Sequence, residues 1–121
     1  MQTNLVEVVL YARVMQTQVE FYRDVLGLPV KFPPNCDDFR REYRVTFDTG
    51  CCVLALQSGG ARRIGEGLTH IIFNVEDIQA TRARLLDNGV RIGPIRQMDL
   101  TTLVCDGEDP EGNPFSIECR E

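Results

Sequence analysis

The feature that most constrains this chain is that it repeats itself. Residues 5–13 are rich in β-forming residues. Val6, Val8, Leu10 and Ala12 make one apolar face at period two, and Glu7, Val9 and Tyr11 take the other. Residues 15–27 switch to helical spacing, with Val19, Tyr22 and Leu26 on one stripe; Gly27 suits a left-handed cap and Pro29 prevents continuation. Strands are expected near 29–33, 43–48 and 51–57, with Asp48-Thr49-Gly50 as a turn. The second half has the same order. A strand over 68–76 carries Ile71, Phe73 and Val75 on one face, and Asp77 caps a helix over 78–88 that Gly89 closes. Strands near 91–97, 101–107 and 114–119 follow, the last after the turn Asp109-Pro110-Glu111-Gly112-Asn113.

Two βαβββ units in one chain are an internal duplication. Glu7 and His70 lie 63 positions apart (70 − 7), and so do Ala55 and Glu118 (118 − 55). The first module spans 4–57, the second 67–120, and a glycine-bracketed linker, 58–66, joins them. The fold class is therefore α+β. With 121 residues in all, a half of about 60 is marginal alone, so the modules are expected to pack together or against a second chain. Open sheet edges make a homodimer the expected assembly.

Charge removes several functions. A net charge of −5 supplies no basic stripe for a phosphate backbone, and Arg40-Arg41 and Arg62-Arg63 are too short to make one. No run of 18 apolar residues is present to cross a membrane, and the N-terminus has no signal-peptide pattern. Five cysteines, an odd number without CxxC spacing, read as reduced thiols of a cytoplasmic protein. Cys52 and Cys119 are expected on the apolar side of their strands, leaving Cys51 as the thiol to watch.

The strand faces turned away from the helices are the candidate site. They carry Glu7, Val9, Tyr11, Cys51, Val53, Ala55 and Gln57 in the first half, then His70, Ile72, Asn74, Ser116 and Glu118 in the second. The sole histidine and two carboxylates thus alternate with apolar neighbours. An unpaired buried carboxylate is costly, and a divalent cation would neutralise both. The plainer reading is a hydrogen-bonded histidine and two solvated glutamates, because three dispersed ligands form no local motif.

Three stretches add a resemblance. Glu7-Val-Val-Leu-Tyr-Ala-Arg with Val19-Glu-Phe-Tyr-Arg-Asp-Val-Leu-Gly-Leu28, then Gly67-Leu-Thr-His-Ile-Ile-Phe-Asn-Val-Glu-Asp77, then Asp109-Pro-Glu-Gly-Asn-Pro-Phe-Ser-Ile-Glu118 are similar to the vicinal oxygen chelate superfamily. This family includes glyoxalase I, bleomycin-resistance proteins and extradiol dioxygenases. The resemblance implies curved mixed sheets around a cleft. It also implies up to four ligand positions, which fall on Glu7, Ala55, His70 and Glu118. Ala55 has no donor, and Glu7 stands where histidine is commonest, so the implied metal set is Glu7, His70 and Glu118. The ion would be Zn, Ni, Mn, Co or Fe.

The resemblance further implies a lyase or isomerase acting on a small oxygen-rich metabolite, with Glu118 as the catalytic base. A ring-cleaving dioxygenase is the other enzymatic reading. The non-enzymatic one is metal-free ligand binding in a cleft lined by Val9, Tyr11, Val53, Ala55, Gln57, Ile72 and Asn74. Arg13, Arg44 and Arg96 are candidates to hold an anionic group, and the loop 96–102 is a candidate cover.

Overall fold

The computed structural model describes residues 7–58 and 70–120. The chain divides into two compact units, Met1–Ile64 and Gly65–Glu121. Most of the expected linker, including Arg62-Arg63, lies outside the described residues. No described helix is long and apolar enough to cross a membrane.

In the first unit, β1 (Glu7–Ala12) leads into α1 (Met15–Glu20), then a π-helical turn over Phe21–Val25. Strands β2 (Val30–Phe32), β3 (Arg44–Asp48) and β4 (Val53–Ser58) complete a sheet of order β1-β4-β3-β2, with β1 parallel to β4. Period two fixes the faces. Leu10, Ala12, Val45, Phe47, Leu54 and Leu56 are buried, as are Val19, Phe21 and Tyr22 of the helical segment. Tyr22 meets Phe47 with ring centroids 6.1 Å apart.

The helix expected over 15–27 therefore widens half-way. Phe21 and Tyr22 are adjacent and both buried, which a regular helix with its 100° step does not favour. The wider turn, in which Leu26 N–H donates to Phe21 O at 3.0 Å, lets both rings face inward. Gly27 then takes a φ of +78°, as its capping role requires.

The second unit repeats the plan. It contains β5 (Ile71–Asn74), α2 (Ile78–Asp87), β6 (Arg91–Ile92), β7 (Arg96–Asp99), β8 (Thr102–Glu108) and β9 (Pro114–Arg120). The sheet runs β5-β9-β8-β6, with β7 also pairing β8 and β5 parallel to β9. Asp77 caps α2 by accepting from Ala80 N–H at 3.0 Å. Ile78 and Leu85 of α2 are buried with Phe115, Ile117 and Cys105 of the sheet, and Phe73 and Phe115 meet edge-on at 6.3 Å.

Three expected segments differ in the structure. The segment 91–97 is split into β6 and β7 around Gly93-Pro94, because proline has no N–H for the ladder. The loop expected over 96–102 is largely strand, since Arg96–Asp99 pairs with β8. In the first unit, Cys51 and Cys52 stand in the turn before β4 rather than on the strand. That turn is held by Thr49 Oγ1 donating to Cys52 O at 2.5 Å and Gly50 N–H donating to Asp48 Oδ1 at 2.8 Å.

The duplication is not perfect in register. In the first unit each β1 residue pairs with the β4 residue 46 positions on (Glu7 with Val53), whereas in the second the spacing is 44 (Ile71 with Phe115). Strand β9 has slid two residues relative to the copy. An even slide leaves every side chain on its own face.

Candidate functional site

On the sheet face of the first unit away from the helix, Glu7, Val9 and Tyr11 line up with Val53, Ala55 and Gln57, and these with Asp48, Thr46 and Arg44. The Glu7 carboxylate accepts from Arg44 Nη2 in an ion pair. Arg44 Nη1 also donates to Gln57 Oε1 at 3.3 Å, and Gln57 Nε2 donates to Tyr43 Oη at 3.1 Å. The register gives this contact its meaning. Arg44 is level with Gln57 on β3, Glu7 is level with Val53 on β1, and the diagonal joining them passes over Ala55 on β4. Ala55 is fully buried. A methyl side chain leaves room for a guanidinium to cross there, and a long side chain would not.

In the second unit the corresponding face carries His70, Ile72 and Asn74, then Ser116 and Glu118, then Asp106 and Val104. His70 stands just before β5 and is exposed. Its Nε2 lies 2.8 Å from the Ser116 hydroxyl. Ser116 is buried and donates to Asp106 Oδ1 at 2.5 Å, and Arg96 Nη2 donates to Asp106 Oδ2 at 2.8 Å. The Arg96 guanidinium first, then the Ser116 hydroxyl, hold the Asp106 carboxyl below the usual carboxylate range.

Glu118 turns elsewhere. Its carboxylate, with only 12% of the side chain exposed, accepts from Arg120 Nη2 at 3.4 Å. It also lines an open depression of about 530 Å³ together with Asn74, Val75, Glu76, Cys119 and Arg120.

The slid register separates His70 from Glu118. Glu118 is level with Asn74, four residues along from His70. That is about 13 Å of strand, or about 7 Å more than the first unit's register would give. Glu7 belongs to the first unit and the other two donors to the second. Each is bonded to a partner inside its own unit, two of them to an arginine. Among the described residues no group of three or more His, Cys, Asp or Glu side chains is placed to hold a metal ion. With the Arg44 guanidinium on its carboxylate, Glu7 as it stands does not fit a cation site. The remaining cleft candidates, Val9, Tyr11, Val53, Gln57, Ile72 and Asn74, keep to the faces expected of them.

Residues 4–117 match the profile of the Glyoxalase/Bleomycin resistance protein/Dioxygenase superfamily. The chain belongs to this superfamily. Among curated proteins none matches it. Among solved structures it resembles SMU.1112c, with a TM-score of 0.77 and 25% identity over 98% of this chain and 99% of that one. It also resembles a lactoylglutathione lyase from Agrobacterium tumefaciens (TM-score 0.76, 20% identity, 98% and 95% covered). The antibiotic-binding protein TnmS3 from Streptomyces sp. CB03234 is similar as well (TM-score 0.79, 15% identity, 100% and 99% covered). At these identities the last two likenesses speak for the fold alone. Members of this superfamily act on or bind small molecules with widely different chemistry, so the reading of this member rests on its own side chains.

The sequence indicated the face on which Ser116 lies but gave no role to it, nor any place to Asp106. The signal was the alternation of Val104, Cys105 and Asp106, which sets Asp106 opposite the helix-covered face. Seeing that it meets Ser116 needs the antiparallel register of β8 and β9.

Proposed function

We propose that this superfamily member binds a small molecule through direct contacts with its own side chains, without a bridging metal. The observation that carries the reading is the Arg44 guanidinium on Glu7, drawn across Ala55. A carboxylate neutralised by an internal cation has no electrostatic need for a second one, and the guanidinium repels a divalent ion. The position where the family resemblance implies another ligand carries a methyl group. Tyr11 and Ile72, 37% and 53% exposed, offer apolar contact surface on the two faces.

The test is a thermal-shift screen of antibiotics and oxygen-rich metabolites, followed by calorimetry with and without a chelator. Hits whose affinity is unchanged by EDTA support the reading. Binding that appears only with Ni, Zn, Mn, Co or Fe and disappears in His70→Ala and Glu118→Gln overturns it.

The second reading, a metal-dependent lyase or isomerase with Glu118 as base, draws on one observation. His70 and Glu118 share a face of the second unit, and Glu118 is largely shielded from solvent. The same measurement decides between the two, and oxygen uptake with catechols would point to the dioxygenase form.

A further inference from the structure

His70 sits at the end of a hydrogen-bonded chain whose proton order can be worked out from its far end. Arginine only donates, so one oxygen of Asp106 accepts from Arg96. Asp106 is ionised near neutral pH and can only accept, so it takes the single hydroxyl proton of Ser116. The Ser116 oxygen, buried and without another proton to give, must accept from His70 Nε2 at 2.8 Å. The proton of the neutral imidazole therefore resides on Nε2, and the lone pair is on Nδ1, for which the described residues supply no partner.

We infer that the Arg96–Asp106–Ser116 chain makes His70 Nδ1 a fixed hydrogen-bond acceptor that reads an O–H group of the ligand, and that this group is carried on an apolar or aromatic frame. The frame follows from Ile72, which is 53% exposed on the same face, two residues from His70. A phenol or enol fits both features, because it donates to Nδ1 while its carbon skeleton covers Ile72. Ser116 and Asp106 are positioning residues that act through the imidazole. The ligand half rests on the small-molecule-binding reading, whereas the proton order is a property of the free protein.

The chain holds one histidine, so its imidazole nitrogens are unambiguous in a two-bond proton–nitrogen correlation. In the neutral form of the ring, recorded at alkaline pH, the proton should be on Nε2. Asp106→Asn should reverse this. Arg96 will keep the amide oxygen, the amide NH2 will donate to Ser116, and the hydroxyl will turn to donate to Nε2, which drives the ring proton to Nδ1. Ser116→Ala should leave a mixture of both forms.

A wild-type ring protonated on Nδ1, or a mixture matching that of Ser116→Ala, overturns the proton order. So does an Asp106→Asn variant with unchanged tautomer, its fold being checked by amide shifts elsewhere. Phenol and anisole then probe the ligand half. Phenol should move the Nδ1 resonance of the wild type at concentrations where anisole does not, and Asp106→Asn should abolish that preference. Equal shifts, or none, overturn the ligand half and leave the proton order standing. Failure of the wider screen to find any ligand would count against the proposed function and not against the tautomer.

Discussion

Arg44 of β3 reaches Glu7 of β1 across the strand between them, over the side chain of Ala55. The pair is half-buried on both sides, with side-chain exposures of 33% and 34%. At that exposure it stabilises the sheet modestly. Its greater effect is on what the face can bind, since it joins the charges that a cation or an anion would otherwise meet separately.

Removing the cation and supplying the missing carboxylate should convert this face to a metal-binding one. In the double variant Arg44→Ala, Ala55→Glu, the new carboxylate lies diagonally beside Glu7 on the neighbouring strand. Calorimetry with Ni²⁺ should show affinity at least about tenfold above wild type, a difference of about 1.4 kcal/mol. Equal affinities would mean that Arg44 does not keep ions away from Glu7.

Asp106 gives a pH dependence with a definite sign. Its folded-state pKa lies below the ordinary 3.8, so the unfolded chain takes up the proton first as pH falls. The stabilisation is present above about pH 4 and is lost as the pH drops through the folded value. With 49% of its side chain exposed, the contribution is at most about 1 kcal/mol after screening. Urea titrations of wild type and Asp106→Asn should therefore differ at pH 7 and converge towards about pH 2. A gap that widens on acidification would contradict the assignment.

Gly107 of β8 is paired with Ile92 of β6. A Cβ there would meet Arg91 O at 2.7 Å and the Phe115 ring at 3.1 Å. Neither backbone nor a buried ring gives way easily, so Gly107→Ala should cost about 1–3 kcal/mol. Its melting temperature should fall, and amide exchange should quicken at Gly93, whose N–H donates to Asp106 O at 2.8 Å beside this contact. An unchanged melting temperature would show that β6 shifts freely.

The cysteines should separate by reactivity. Cys105 is fully buried and burial pushes its thiol pKa up, whereas Cys51 is exposed in the turn before β4. In a thiol–disulfide exchange assay of the native protein, Cys51→Ser should remove the fastest phase. Cys105 should react only as the second unit unfolds. A fast phase that survives in Cys51→Ser would assign it to another thiol.

Much of this arrangement was legible in the residues. Alternation of apolar and polar positions gave β1, β4, β5 and β9 their faces, Asp77 and Gly89 marked the ends of α2, and the 63-residue spacing exposed the duplication. These are local features, set by side-chain period and by the backbone preferences of single residues. Register is different. A strand slid by two residues presents the same face and the same pattern, so nothing in the sequence of β9 distinguishes a spacing of 44 from one of 46. Only the packed sheet decides that Glu118 stands level with Asn74, that His70 turns to Ser116, and that Arg44 finds Glu7 across a buried methyl group. The chain determined which face each donor occupies; tertiary pairing determined which neighbour it meets, because that depends on how far one strand slides along another.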